Sequence, residues 1–193
     1  MAEPGAAAEA LVAREALDDV AVKGDGVRVV GLDPLSIVSI AFGHDDVDAR
    51  EAVERGLGIG LPGIGESAGG ALGGGATLLG LQRDQWFALM AREASPVARV
   101  REAIGEGPAV TDQGDAWAGL AIEGPRAVDA LERTCRLDLH VDAFPVGRVA
   151  RTAMEHLATV LLREADERFV LLSPRSSAAS FAHAMATSVR NVS

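Results

Sequence analysis

Gly60-Leu61-Pro62-Gly63-Ile64-Gly65-Glu66-Ser67-Ala68-Gly69-Gly70 belongs to two overlapping signatures, and accepting or rejecting them decides the fold. Gly65 to Gly69 spells the G-x-S-x-G of a hydrolase nucleophile elbow. Gly58 to Gly63 spells the G-x-G-x-x-G of a dinucleotide site. Either would make the chain an α/β protein, because each motif sits between a strand and a helix. Ser67 lacks both flanks. Its approach, Gly58 to Gly65, holds four glycines and Pro62, too loose for a central strand. Its exit, Ala68 to Gly75, holds five glycines, and each costs a helix about 1 kcal/mol relative to alanine. No His-Gly-Gly oxyanion segment precedes Ser67. Gly58 follows a helical pattern, so Gly56 and Gly58 read as its stop. The stretch therefore reads as a flexible surface loop.

Upstream, residues 1–26 read as an arm in which Ala6 to Ala21 forms a helix carrying Leu11, Leu17 and Val20. Val27-Arg28-Val29-Val30 is a short strand, and Asp33-Pro34 a turn. Ser36 to Phe42 is β-branched and almost wholly apolar, the pattern of a buried strand. Asp45 or Asp46 caps a helix over Val47 to Leu57, whose apolar side is Ala49, Val53 and Leu57. Downstream, Thr77–Gln82 and Trp86–Ala91 form a strand pair around Arg83-Asp84. Ser95-Pro96 opens a helix with Val97, Val100 and Ile104 on its buried stripe, ended by Gly105.

The second half repeats the pattern. Trp117 to Ile122 is a strand. Gly124-Pro125 opens a helix with Val128, Leu131 and Cys135 on one side. Arg148–Met154, Ala158–Arg163 and Arg168–Leu172 are strands, the last two joined through Glu164-Ala165-Asp166-Glu167. Ser176 starts a final helix faced by Ala178, Phe181, Ala182, Met185 and Val189. Adjacent strand pairs imply hairpins rather than a uniformly parallel sheet. The expected fold is α+β, two split-βαβ units of ferredoxin-like type, divided as an arm (1–26), a first unit (27–110) and a second unit (111–193). The boundary is soft, because the halves can exchange strands.

Composition narrows the function. The 193 residues carry a net charge of −10, and no Lys/Arg cluster offers the basic face that nucleic acid requires. Lys23 is the sole lysine. No apolar run reaches membrane-spanning length, and Met1 to Glu15 lacks the basic start of a signal peptide. One cysteine excludes an internal disulfide and suits the cytoplasm. Tyrosine is absent and aromatics are only 4%, few rings for stacking a flavin or pterin.

Other candidate sites carry plain structural readings. Cys135 and His140 suggest a thiolate–imidazole pair, but Cys135 falls on an apolar stripe. His44 with Asp45, Asp46 and Asp48 suggests a metal site, though acids at a helix start complement the macrodipole. His156 and His183 read as surface residues. Arg148, Arg151, Arg163 and Arg175 can hold an anion or a partner's carboxylates; exposed strand ends are the simpler reading. No catalytic, cofactor-binding or metal-binding constellation is assigned.

Several segments, in order, resemble the gamma subunit of heterotetrameric sarcosine oxidase. They are Gly124-Pro125-Arg126-Ala127; Cys135-Arg136-Leu137-Asp138-Leu139-His140; Phe144-Pro145-Val146-Gly147-Arg148-Val149-Ala150-Arg151-Thr152; Val160-Leu161-Leu162; Phe169-Val170-Leu171-Leu172; and Arg175-Ser176. Leu79-Gly80-Leu81-Gln82-Arg83-Asp84-Gln85-Trp86 resembles the family's Leu-Gly-Pro-Asp-x-Trp hairpin, with Gln82-Arg83 replacing the usual Gly-Pro. The resemblance covers roughly residues 27–185. It implies a fold like the folate-binding domains of the glycine-cleavage T-protein and the tRNA-modification GTPase. It implies alpha, beta and delta subunits as partners. The complex it implies demethylates sarcosine oxidatively to glycine, with hydrogen peroxide and methylene-tetrahydrofolate as products. FAD, FMN and NAD are implied on alpha and beta and zinc on delta, with none in this chain. A structural, non-catalytic role follows; a stand-alone folate-binding one-carbon transferase is the alternative. The arm is a candidate partner contact.

Overall fold

The computed structural model describes residues 16–17, 19–32, 35–70 and 75–193. Its strands are β1 (Ala21–Gly24), β2 (Val27–Gly31), β3 (Leu35–Ala41), β4 (Ser67–Gly69), β5 (Thr77–Gln82), β6 (Gln85–Ala91), β7 (Ala109–Asp112), β8 (Trp117–Glu123), β9 (Val149–Met154), β10 (Leu157–Ala165) and β11 (Arg168–Pro174). The helices are α1 (Val47–Leu57), α2 (Pro96–Ile104), α3 (Ala127–Leu131) and α4 (Ala178–Asn191).

Two antiparallel sheets stack between two helical layers. One has the order β4-β5-β6-β3-β7, the other β1-β2-β8-β11-β10-β9. In the first, β3-α1-β5 is a split βαβ unit with β6 between its strands, and β6-α2-β7 is a second with β3 between. That is the expected ferredoxin-like arrangement. In the second sheet β8, β10 and β11 take the matching places. The remaining slot, beside β8, is filled from the other end of the chain by β2, with Arg28 opposite Glu123 and Val30 opposite Ala121.

Side-chain alternation explains why the layers form. On β3, Ile37 joins Leu79, Phe87 and Leu89 against Val160, Leu162, Val170 and Leu172 of the other sheet. Its neighbours Val38 and Ile40 turn instead to Val53 of α1 and Val100 and Ile104 of α2. Both faces are buried, so β3 reads as an apolar run rather than an alternating one. On the far side, Phe181, Met185 and Val189 of α4 cover Leu120, Ile122, Phe169 and Leu171.

Local chemistry sets the element ends. Asp46 Oδ1 accepts from Ala49 N at 2.9 Å and caps α1, which stops at Gly58 in the left-handed region, φ 65°. Pro96 begins α2, although Ser95 makes no capping bond. Glu155 and His156, both at positive φ, form the β9–β10 turn.

Three expectations are corrected. The helix drawn to Ala21 gives way to turn at residues 16, 17 and 19 and then to β1, which pairs with β2; residues 6–15 and 18 of that helix, and the Asp33-Pro34 turn, lie outside the described residues. The helix after Gly124-Pro125 ends at Leu131, so Cys135 is buried by a bridge to Met154 instead of on the helix. The glycine-rich stretch is not a free loop. Ser67–Gly69 is β4, and its approach is fastened to the neighbouring sheet.

Candidate functional site

The quoted stretch is a seam. Glu66 and Arg148 form an antiparallel bridge between the two sheets. Ser67 N donates to Gly147 O at 2.8 Å, and Val149 N donates to Gly65 O at 2.9 Å. On the other side Gly65 N donates to Gly80 O at 2.7 Å, and Gly80 N to Glu66 O at 2.9 Å. The buried indole of Trp86 donates to Pro62 O at 2.9 Å. The glycines answer to this geometry. Gly65 sits at φ 85°, with the Arg148 guanidinium over its Cα: a Cβ there would lie 3.3 Å from Arg148 Cζ. A Cβ on Gly80 would be 2.9 Å from the Gly63 carbonyl carbon and 3.0 Å from Pro62 O. Glycine inside a strand permits such close backbone approach.

Ser67 is half-buried, and its hydroxyl donates to Gly147 O at 2.8 Å. The bond opposite a would-be nucleophile is thus a backbone carbonyl, which cannot act as general base. The strand after Gly69 is β5, not a helix, and the elbow reading falls with it. The dinucleotide reading falls too, since Gly58 ends α1 rather than preceding a helix.

The remaining candidates are not brought together. Cys135 is buried, whereas His140 is exposed with Nδ1 3.4 Å from Asp142 Oδ2. His44 Nδ1 lies 2.9 Å from Asp84 Oδ1, while Asp46 serves as the cap. Among the described residues no group of three His, Cys, Asp or Glu is arranged to hold a metal ion. His156 and His183 are exposed. Arg175 opens a 3-10 turn before α4. Arg163 differs from these: it is only 6% exposed, and its guanidinium binds backbone carbonyls.

Arg148 and Arg151 do converge. Both line a cleft of about 460 Å³ at the seam, walled by Leu81, Leu137, Phe144 and Val149. Arg151 lies over the Phe87 ring, 5.7 Å from its centroid. The sequence reading named both arginines but missed Gly80 and Gly147, the partners that place them. An isolated glycine inside the strand pattern Thr77–Gln82 was the available signal.

A second charged row crosses the sheet containing β8. Glu123 accepts from Arg28 at 2.6 Å and from Arg168 at 2.7 Å, and Arg168 also donates to Glu164 at 2.6 Å. Burial pushes the Glu123 carboxyl up, but hydrogen bonds and charge from Arg168 and Arg28 outweigh it. The group is held below its ordinary value. A depressed folded pKa contributes stability that is fully present above the unfolded value, about 4.3, and lost as pH falls through the folded one. Glu123→Gln is therefore expected to lower the melting temperature at pH 7 by about 2–4 °C. The gap to wild type should close as the pH drops below about 4. A pH series of calorimetric scans checks this; a constant gap from pH 7 to pH 3 contradicts it.

No family model matches the chain. It is 32% identical over 130 residues to the sarcosine oxidase subunit gamma of Corynebacterium sp. (strain U-96), covering 65% of this chain and 61% of that one. It is 31% identical over 123 residues to the sarcosine oxidase subunit gamma of Arthrobacter, covering 63% and 60%. The chain thus matches about three-fifths of the length of these curated relatives. In fold it is similar to a chain in the heterotetrameric sarcosine oxidase of Corynebacterium sp. U-96 in complex with pyrrole 2-carboxylate. That match has a TM-score of 0.79 and 23% identity, over 90% of this chain and 89% of that one. It is also similar to the glycine cleavage system aminomethyltransferase T of Bartonella henselae. There the TM-score is 0.63 and the identity 15%, over 83% of this chain and 45% of that one.

Proposed function

We propose that this chain belongs to the family of the sarcosine oxidase gamma subunit, to which it is 31–32% identical, and that it is a non-catalytic structural subunit of a heterotetrameric sarcosine oxidase. The complex would demethylate sarcosine to glycine with formation of hydrogen peroxide and methylene-tetrahydrofolate, in the bacterial cytoplasm. Alpha, beta and delta subunits are its partners and hold the FAD, FMN, NAD and zinc. The observation that carries this reading is the 32% identity to a gamma subunit over 130 residues. The chemistry of the chain supports it. The Ser67 hydroxyl, the nucleophile that the sequence motif offers, is committed to Gly147 O. No helix among the described residues is long and apolar enough to cross a membrane.

The test is co-expression with tagged alpha, beta and delta subunits. The chain should be retained in stoichiometric amount, and the chain purified alone should show neither flavin absorbance nor oxidase activity. A chain that stays monomeric in the presence of its partners overturns the reading.

One observation favours the alternative, a stand-alone folate-binding one-carbon transferase: the fold similarity to the aminomethyltransferase. Against it, Trp86, Phe87, Phe144, Phe169 and Phe181 are all buried in the cores, leaving few rings to stack a pterin. Titration calorimetry with tetrahydrofolate separates the two, since micromolar binding by the isolated chain favours the transferase.

A further inference from the structure

We infer that the seam cleft receives an acidic segment of a neighbouring subunit, whose carboxylates pair with Arg148 and Arg151. The inference rests on the subunit reading above and adds the surface and the chemistry of the contact.

In a chain of net charge −10 carboxylates are plentiful, and Arg28, Arg50, Arg99, Arg126 and Arg168 each reach one. Arg148 and Arg151 have no ion pair among the described residues. The acids around them are otherwise engaged. Glu66, opposite Arg148 in the bridge, accepts from Gly63 N at 3.2 Å, and Asp138, on the cleft wall, accepts from His140 N at 2.9 Å. Yet neither guanidinium is loose. Arg148 lies against Gly65, where any side chain would crowd it, and Arg151 lies over Phe87. Packing on a backbone and on a ring fixes the plane of each guanidinium without using its N–H fork. Planar forks held in place suit bidentate binding of carboxylates and lose less entropy on pairing.

The surroundings point to a macromolecular source of those carboxylates. The cleft opens beside Ile64, which is 64% exposed, and its walls include the half-buried Leu81 and Leu137. Apolar walls with two cations fit an acidic segment that also brings apolar side chains. With a net charge of −10 on the whole chain, two arginines side by side in one apolar-walled cleft offer an acidic segment a local attraction.

The test uses the chain co-expressed with tagged partner subunits. Arg148→Glu combined with Arg151→Glu is expected to reduce recovery on the tag about tenfold at ~0.15 M salt, where surface charges still act over about 8 Å. Arg55→Glu with Arg101→Glu, exposed on α1 and α2, should leave recovery unchanged. Thermal melts of the free variants establish that they fold. Phenylglyoxal labelling of the wild-type chain, read by mass spectrometry, gives a result independent of any variant. Arg148 and Arg151 should be modified in the free chain and protected in the complex, whereas Arg55 and Arg101 react in both. If wild type assembles while the charge-reversed pair is retained and both arginines stay reactive, the inference is overturned and the subunit reading stands. If wild type itself does not assemble, both fall.

Discussion

Arg163→Met should destabilise the chain by about 3–5 kcal/mol, the largest effect expected of any single substitution here. Arg163 interrupts the apolar run Val160-Leu161-Leu162 of β10 and is buried at its end. Nη1 donates to Leu139 O at 3.2 Å and to Phe144 O at 3.0 Å, and Nη2 donates to Asp166 O at 2.7 Å. The guanidinium also lies over the Phe169 ring, 5.1 Å from its centroid. Methionine fills much of the same volume, so the loss is electrostatic and not a cavity. Each carbonyl left buried without a donor costs about 1–3 kcal/mol. Relief of the arginine's own desolvation offsets part of this, as does any water that reaches Asp166 O. Arg163→Lys keeps the charge but cannot span three carbonyls, and its cost should fall between wild type and methionine. Denaturant unfolding measures the difference. Hydrogen exchange should show residues 139–147 opening first, because two of the three bonds hold that segment. A methionine variant within 1 kcal/mol of wild type would show that the three carbonyls are satisfied without the arginine.

Gly80→Ala is the second large effect, about 3 kcal/mol, at the upper end of the cost of overpacking. In an isolated strand the change would be favourable, since alanine restricts the unfolded chain more than glycine. Here the added methyl meets backbone on the opposite side, the carbonyl of Gly63 and the oxygen of Pro62, which have no rotamer to yield. The strands must separate, stretching the bonds Gly65 N to Gly80 O and Gly80 N to Glu66 O. The bridge from Glu66 to Arg148 hangs from the same residues. Amides of Gly65, Ser67 and Val149 should therefore lose exchange protection together, while the α4 amides keep theirs. Loss of protection confined to Gly80 would mean that the seam is not one cooperative unit.

These two sites also show what the sequence could and could not reveal. The long hairpins and helices α1, α2 and α4 were legible because their apolar periods run uninterrupted for several residues. β4, with only Ser67, Ala68 and Gly69, has no period to read, and it becomes a strand because β5 pairs with it. β7 buries only Val110 of its four residues. β1 was masked by the alanine-rich helical pattern before it, and tertiary pairing with β2 overrode that propensity. Ser67 was legible as a poor nucleophile from its flanks alone. Its true partner, Gly147, lies in the other half of the chain, and no local pattern reports it. Arg163 reads in the sequence as an exposed strand end; it is instead buried, and its three acceptors come from a loop and a turn whose positions only the fold defines.

The placement of β2 beside β8 bears on how the chain is made. A ribosome releases β2 well before β8 exists, so β2 stays without its place in the second sheet until β8 emerges from the other half of the chain. Such sequence-distant pairing raises contact order and slows folding. Until that clasp shuts, Val27 and Val29 lack the core formed with β8 and α4 that buries them. A nascent chain in this condition presents an unpaired strand and open apolar side chains, which favours prompt capture by chaperones.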